Sequence, residues 1–358
     1  MDTLQTNTTI ISAALCVDGQ KLWRWYHDSL SGFMEKEVQE NLHKNDVVVY
    51  NEKGKETIRV PILKPENIGE NMAIDEKQIG EEMHTVLSNR DTGKIAMLAR
   101  SVNATELEKI IEKAGSKTDQ IETVTRDMSA TYKKFCNNKF YNASQIADKF
   151  HIIKSLLDAC QDVRVRYRQD ALREKRLLYQ EHKQKEKGQK RLCLEQGKSY
   201  HPHEFSYTEE TLSNGESTLE ALARSRYLLF KYKNDWTSKQ AERANALFAK
   251  YPEIEKAYTL ACDFRNWMKK ENIGKDMMTL KKKLSQWFKD AEQSGIDELL
   301  NFKSMIERDI LAVLNYFRFG ATNAIAENIN SKIQRFIMIN QGTREREFFY
   351  FRVNNYFS

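Results

Sequence analysis

The sequence predicts an α/β protein: a mixed sheet in the first half, a large all-α block after it, and a last helix that closes the chain. Three observations carry that reading. Between Asn71 and Lys149, short apolar runs with strand character alternate with turn signals and two helical patterns. After His151 most of the chain has the periodicity of long amphipathic helices, and only four prolines and 14 glycines interrupt the whole sequence. A further helical stripe begins near Thr322, just after Gly320.

Taken in order, residues up to about Gly69 form a lead region, with a helix around Trp23 to Leu42 and a β-rich connection at Val47 to Val60. The strands of the sheet follow at Met72-Ala73-Ile74, Thr85-Val86-Leu87, Ile95-Ala96-Met97-Leu98, Ile121-Glu122-Thr123-Val124 and Ala143-Ser144-Gln145-Ile146-Ala147. Asn89-Arg90-Asp91-Thr92-Gly93 supplies the turn between the second and third. A helix from Ala104 to Lys113 follows the third strand, and another from Ser129 to Phe135 follows the fourth. Three strands joined by short turns, then helix, strand, helix, strand, make a sheet whose antiparallel part comes first. The domains expected are a core at 70–151, a helical insertion at 152–316 and a closing segment at 317–358. Within the insertion, one long helix runs from Ile152 to Gln196 and a loop from Gly197 to Asn214. Helices follow at Ser217 to Lys233, Ser238 to Lys250, Glu253 to Lys270, Lys275 to Glu292 and Asp297 to Tyr316.

Composition narrows the function. At 358 residues with 40% hydrophobic content, the chain can bury a core and is a folded protein. Its 57 Lys and Arg against 51 Asp and Glu give a net charge of +6, which permits a polyanionic partner without demonstrating one. Five cysteines, Cys16, Cys136, Cys160, Cys193 and Cys262, include no Cys-x-x-Cys pair, so neither a disulfide framework nor a zinc finger is expected. They read as reduced thiols of a cytoplasmic protein. No apolar run approaches the roughly 20 residues that cross a bilayer.

Two aspartates stand where strands are expected to end: Asp75 after Asn71-Met72-Ala73-Ile74, and Asp127 after Val124-Thr125-Arg126. Adjacent strand ends can hold two carboxylates together, as a pair of Mg²⁺ ions about 4 Å apart requires. A third ligand is available on the last helix, where Ala326, Ile329, Ile333 and Ile337 form a buried stripe and Asn323, Glu327, Asn330 and Gln334 an adjacent polar one. That pattern puts Glu327 at the edge of the buried face. Hard oxygen donors suit Mg²⁺ or Mn²⁺ better than zinc. Taken singly, each carboxylate has a plainer role, since an Asp at a strand end forms turns and a helical Glu faces solvent.

Three blocks change that balance. Met72-Ala73-Ile74-Asp75-Glu76-Lys77 is the first. Val124-Thr125-Arg126-Asp127-Met128-Ser129-Ala130-Thr131-Tyr132 is the second, continued by Asp148-Lys149-Phe150-His151. Asn323-Ala324-Ile325-Ala326-Glu327-Asn328-Ile329-Asn330-Ser331-Lys332-Ile333 is the third. In kind and order they resemble the catalytic core of bacterial insertion-sequence transposases of the ISL3 group, DDE enzymes with a ribonuclease H-like fold. The Asp-x-Phe-His block and the Glu helix are the most specific parts, and the resemblance spans roughly Asn71 to Phe357. It implies that Asp75, Asp127 and Glu327 bind two Mg²⁺ (or Mn²⁺) ions, and that the helical block is an insertion splitting the fold. The activity implied is cleavage of DNA at the element's ends and transfer of the 3′-hydroxyl into target DNA, by a homo-oligomer on double-stranded DNA. The family's N-terminal zinc-binding and helix-turn-helix region has no counterpart here, which implies either a separate end-recognition protein or a shortened copy. The family's proline before the Asp-x-Phe-His strand is also missing, with Tyr141-Asn142 in its place. Two other readings stay open: a DNA-binding protein derived from a transposase that no longer cuts, and a ribonuclease H-like nuclease that does not join.

Asp148 is either a cap or a supporting ligand, and His151 either orients Asp148, touches DNA near the site, or packs structurally. Lys77 contacts phosphate or is an ordinary surface lysine. From Ile152 to Lys198 there are 13 Lys or Arg against seven Asp or Glu, and Arg164, Arg168 and Lys175 share one face with Tyr167 and Tyr179 interleaved. That face is a candidate for tracking phosphates, or else a solvated helix with i,i+4 pairs. Lys332, Arg335, Arg344, Arg346 and Arg352 add charge close to Glu327. Trp236, Trp267 and Trp287 are read first as core and second as stacking platforms for a base.

Overall fold

A computed structural model describes residues 8–42, 49–50, 56–58, 62–339 and 345–357. In chain order it begins with helices α1 (Thr8–Leu15), α2 (Gly19–Trp25) and α3 (Lys36–Leu42), then short strands β1 (Val49–Tyr50), β2 (Glu56–Ile58) and β3 (Ile62–Leu63). The single helix expected from Trp23 to Leu42 is interrupted. A π-helical turn, Tyr26–Leu30, follows α2, and Gly32 then takes a positive φ of 76°, which stops the helix before α3. Of the β-rich connection at Val47 to Val60, β1 and β2 pair antiparallel, and the remaining residues lie outside the described ones.

The sheet comes next: β4 (Asn71–Ile79), β5 (Glu82–Asn89), β6 (Ile95–Ala99), helix α4 (Ala104–Ile111), β7 (Thr123–Arg126), helix α5 (Ala130–Lys139) and β8 (Ser144–Ala147). Its strand order is β3-β6-β5-β4-β7-β8. β4, β5 and β6 are antiparallel neighbours, whereas β4–β7 and β7–β8 are parallel. This is the mixed α/β sheet expected, consistent with a ribonuclease H-like core. Asn103 and Ser129 start α4 and α5 by accepting hydrogen bonds from the first free amides of each helix.

Helix α6 (Lys149–Glu195) leaves the sheet and leads into α7 (Thr218–Arg224), α8 (Ser238–Lys250), α9 (Pro252–Trp267), α10 (Met277–Ser294) and α11 (Asp297–Arg308). The chain ends with α12 (Ile310–Phe319), α13 (Ala324–Ile339) and α14 (Arg346–Tyr356). These elements form two compact units: residues up to Ile152 together with those from Asp309 onward, and Ile153–Arg308.

In the first unit the sheet is covered on both faces. Met72, Ile74, Leu87, Met97 and Val124 pack with Leu107, Ile110 and Ile111 of α4 and Tyr132 and Phe135 of α5. On the other face Ile79, Val86, Ile95 and Leu98 pack with Ile329, Ile333 and Phe336 of α13 and Phe349 and Val353 of α14. The stripe read from the sequence of α13 is therefore its buried side. At Gly69 a Cβ would stand 2.5 Å from Asn89 Nδ2. Asn89 cannot retreat cheaply, because it donates to Asn67 O and accepts from the amides of Asp91 and Thr92, fixing the turn expected there.

The second unit has its own core. Phe264, Trp287 and Phe302 meet edge to face, and the Trp267 and Trp287 indoles donate to the carbonyls of Leu280 and Leu260. Trp236 donates to Leu228 O and packs beside Phe248 and Tyr258. All three tryptophans are thus engaged in packing. α7 and α8 each open with a capping box, Ser217 with Glu220 and Thr237 with Gln240. The helix expected from Asp297 to Tyr316 is two, broken at Asp309 between α11 and α12. Among the described residues, no helix is long and apolar enough to cross a membrane.

Candidate metal centre

Asp75 lies within β4, not at a strand end as expected, because β4 and β5 remain paired as far as Ile79 and Glu82. Asp127 does follow the last residue of β7. The parallel register pairs Ala73 with Thr125, and continuing it brings Asp75 level with Asp127 on neighbouring strands about 4.8 Å apart. Side chains alternate along β4, so with Met72 and Ile74 in the α4–α5 core, Ala73 and Asp75 face the α13 side.

Helix α13 reaches this point through its asparagines. Asn330 Nδ2 donates to Asp75 Oδ2 at 2.6 Å and to Glu76 O at 3.3 Å. Thr125 Oγ1 donates to Asn323 Oδ1, just ahead of the helix. The two asparagines bracket Glu327, an exposed side chain in the first turn of α13, where a negative charge suits the helix N-terminus. The polar stripe thus fastens the Glu-bearing helix to both Asp-bearing strands.

Asp148 and His151 complete the cluster. Asp148 is 2% exposed and caps α6 by accepting from the Phe150 amide at 3.2 Å. Its other oxygen, Oδ2, is buried without a hydrogen-bond donor and lies 3.7 Å from His151 Nε2, which is 3.9 Å from Asp75 Oδ1. Burial pushes the Asp148 carboxyl up to about 6, aided by the negative charges of Glu327 and Asp75 and opposed by the Phe150 amide and His151. Burial also raises Asp75, with Asp127 and Glu327 adding to the rise and the Glu76 amide and His151 opposing it. Glu76 is raised as well, by desolvation first and by Asp127 next. Asp75 is thus within electrostatic reach of Asp127 and Glu327, and Asp148 within reach of Glu327 and Asp75.

Among the described residues no three carboxylate, imidazole or thiol groups converge to ligand distance. The donor set is nevertheless what a hard divalent cation takes: oxygens only, mutually repelling, one of them buried and unsatisfied.

The outlying candidates divide. Lys77 projects on the same side of β4 as Asp75, and its ammonium is lowered by partial burial. Lys332 and Arg335 are exposed on α13. Arg164 does not line an open basic face: it is buried, donating to Gln161 Oε1 and Leu222 O at 2.8 and 2.6 Å. Lys175 is paired with Glu209 at 2.8 Å, whereas Arg168 is exposed. Arg352 is buried against the rings of Tyr26, Phe336 and Phe348. Arg344 and the Arg346 side chain lie outside the described residues. Sequence reasoning passed over Arg126 and Asp309, which form a buried ion pair beside Asp127. The available signal was an arginine inside a strand whose neighbours all read as buried.

A protein-family model for transposases of the ISL3 group of DDE enzymes matches residues 72–353. No curated protein and no solved structure matches the chain.

Proposed function

The chain belongs to the ISL3 group of DDE transposases, and from that premise we propose that it cuts double-stranded DNA at the ends of an insertion sequence and joins the freed 3′-hydroxyl to target DNA. Asp75, Asp127 and Glu327 hold two Mg²⁺ or Mn²⁺ ions. What supports the reading is that Asn330, on the helix that carries Glu327, bonds Asp75, and that Asp127 and Glu327 both act electrostatically on the Asp75 carboxyl.

Bound there, divalent cations supply Lewis acidity to the attacking and leaving oxygens of a phosphodiester. The protein's own work is positional. Asn330 fixes the rotation of the Asp75 carboxylate, and the Glu76 amide, 2.8 Å from Asp75 Oδ1, holds its second oxygen. The Ser129 amide does the same for Asp127 Oδ1 at 2.9 Å. His151 Nε2 stands 3.9 Å from Asp75 Oδ1 and 3.7 Å from Asp148 Oδ2, beyond hydrogen-bond distance, and favours the charged form of both carboxylates electrostatically. Lys77, Lys332 and Arg335 attract the phosphate backbone toward Asp75 and Glu327. Water breaks the first P–O bond and leaves a 3′-hydroxyl, and that hydroxyl then displaces a target 3′-oxygen, so no covalent enzyme intermediate is needed. Joining two ends to one target calls for more than one copy on DNA.

The test is cleavage and joining of DNA carrying the element's flanking ends, with Mg²⁺ or Mn²⁺, by the native chain and by Asp75→Asn, Asp127→Asn and Glu327→Gln. Native protein should give nicked and joined products, and each variant should lose on the order of a hundredfold or more while still binding DNA. Equal activity of any variant removes that residue from the reading. Products that are cut but never joined favour a nuclease.

A further inference from the structure

Arg126 is the largest charged side chain that the first unit buries completely, at 0% exposure. Its guanidinium uses three directions. Nη2 donates to Asp309 Oδ2 at 2.6 Å, Nε to Gln145 Oε1 at 2.7 Å, and Nη1 to the carbonyl of Asp127 at 2.7 Å. Each partner is held in turn. Gln145 Nε2 donates to Asn137 Oδ1 at 2.6 Å, the Gln145 carbonyl accepts from Asn315 Nδ2 at 2.8 Å, and Lys133 Nζ stands 3.4 Å from Asp309 Oδ1. The Arg126 carbonyl accepts from the Asp148 amide at 2.7 Å.

Two features make this more than a buried ion pair. The carbonyl held by Nη1 belongs to Asp127 itself, so the guanidinium fixes the peptide that follows β7 and with it the direction from which the Asp127 side chain departs. Asp309 is the first residue of the segment that returns to the sheet, at the break between α11 and α12, and that segment leads through α12 to the Glu327 helix. A buried pair of this kind contributes little net stability over an apolar pair of equal volume, so its presence beside Asp127 asks for another reason.

We infer that Arg126 and Asp309 are positioning residues that clamp the Asp127 peptide and the returning segment into one arrangement, setting the affinity of the carboxylate site for divalent metal. This rests on the reading of Asp127 as a ligand. Arginine is required because one planar fork must reach a carboxylate, an amide oxygen and a backbone carbonyl together, which a lysine ammonium cannot do in that geometry.

The test is Mn²⁺ affinity of the full chain, measured by calorimetry or by the spin resonance of free Mn²⁺, together with its melting temperature. The variants are Arg126→Lys, the apolar pair Arg126→Met with Asp309→Leu, and Asp127→Asn as reference. The apolar pair should melt within a few degrees of the native protein yet bind Mn²⁺ on the order of tenfold or more weakly, and Arg126→Lys should weaken it similarly while folded. Native-like Mn²⁺ affinity in either folded variant overturns the inference. Failure of Arg126→Lys to fold at all also overturns it, since the pair is then a folding element. If Asp127→Asn itself leaves Mn²⁺ affinity unchanged, the ligand assignment falls first, a result separable from native-like affinity in the clamp variants alone.

Discussion

At the scale of single residues, Asp148 carries a measurable pH signature. Its carboxyl lies near 6 in the folded protein against an ordinary value of 3.8, chiefly because it is buried. Between those values the folded state binds more protons than the unfolded state, so stability falls as pH rises through the window, and the whole loss is present above it. At about 1.4 kcal/mol per pKa unit the loss approaches about 3 kcal/mol. Urea unfolding in chelator should show the native protein less stable at pH 7 than at pH 4.5, with Asp148→Asn flattening that difference and exceeding the native protein at pH 7. A parallel loss in both proteins assigns the effect elsewhere. Glu327 predicts the opposite kind of result. It is exposed, so Glu327→Ala should change unfolding free energy by no more than about 0.5 kcal/mol while abolishing cleavage. Gly69→Ala should cost about 1–3 kcal/mol in a thermal melt, because the added Cβ meets Asn89 Nδ2 inside a bonded turn. At this scale the sequence was partly legible. Asp127 stood out by following an apolar strand, and Glu327 by its place beside a buried stripe. Arg126 and Asp309 did not, because an arginine within an apolar strand signals burial without naming a partner, and this partner lies 183 positions away.

At the scale of elements, helix α13 shows how apolar burial places a polar site. Ile329, Ile333 and Phe336 share a buried cluster with Ile79 of β4 and Val86 of β5, and that packing sets which polar residues of α13 meet β4. Ile333→Ala removes a fully buried side chain and should cost about 2–5 kcal/mol of stability in denaturant unfolding. A smaller change means that α13 is not packed as described. The strands β4 to β8 and helices α4, α5 and α13 were legible because each has a periodicity of its own. The breaks were not. Gly32 and Asp309 interrupt helical patterns that run on in sequence, the first through backbone conformation and the second where Arg126 and Lys133 engage its carboxylate. The length of β4 was missed because its second half, Glu76 to Gln78, is polar and reads as turn.

At the scale of the whole molecule, the net charge of +6 is carried by a chain many of whose basic groups are internally paired. Arg164 is buried, while Arg166 pairs with Glu253 and Glu298 and Lys175 with Glu209. The basic surplus counted along α6 therefore overstates what can meet DNA, a distinction that only three-dimensional pairing reveals. Where DNA is held through its phosphates, affinity for non-specific DNA should fall roughly tenfold or more between 50 and 200 mM salt. A salt-independent affinity means that DNA is not held through its phosphates. The division into a sheet-bearing unit and a helical unit follows from a chain that leaves the sheet at α6 and returns at Asp309. Cleavage and joining by this chain require that these carboxylates bind metal together. Anomalous diffraction from crystals soaked in Mn²⁺ locates the ions directly. Peaks within ligand distance of Asp75, Asp127 and Glu327, lost in Glu327→Gln crystals, are the expected result. Mn²⁺ bound only elsewhere, or bound equally in the variant, contradicts it.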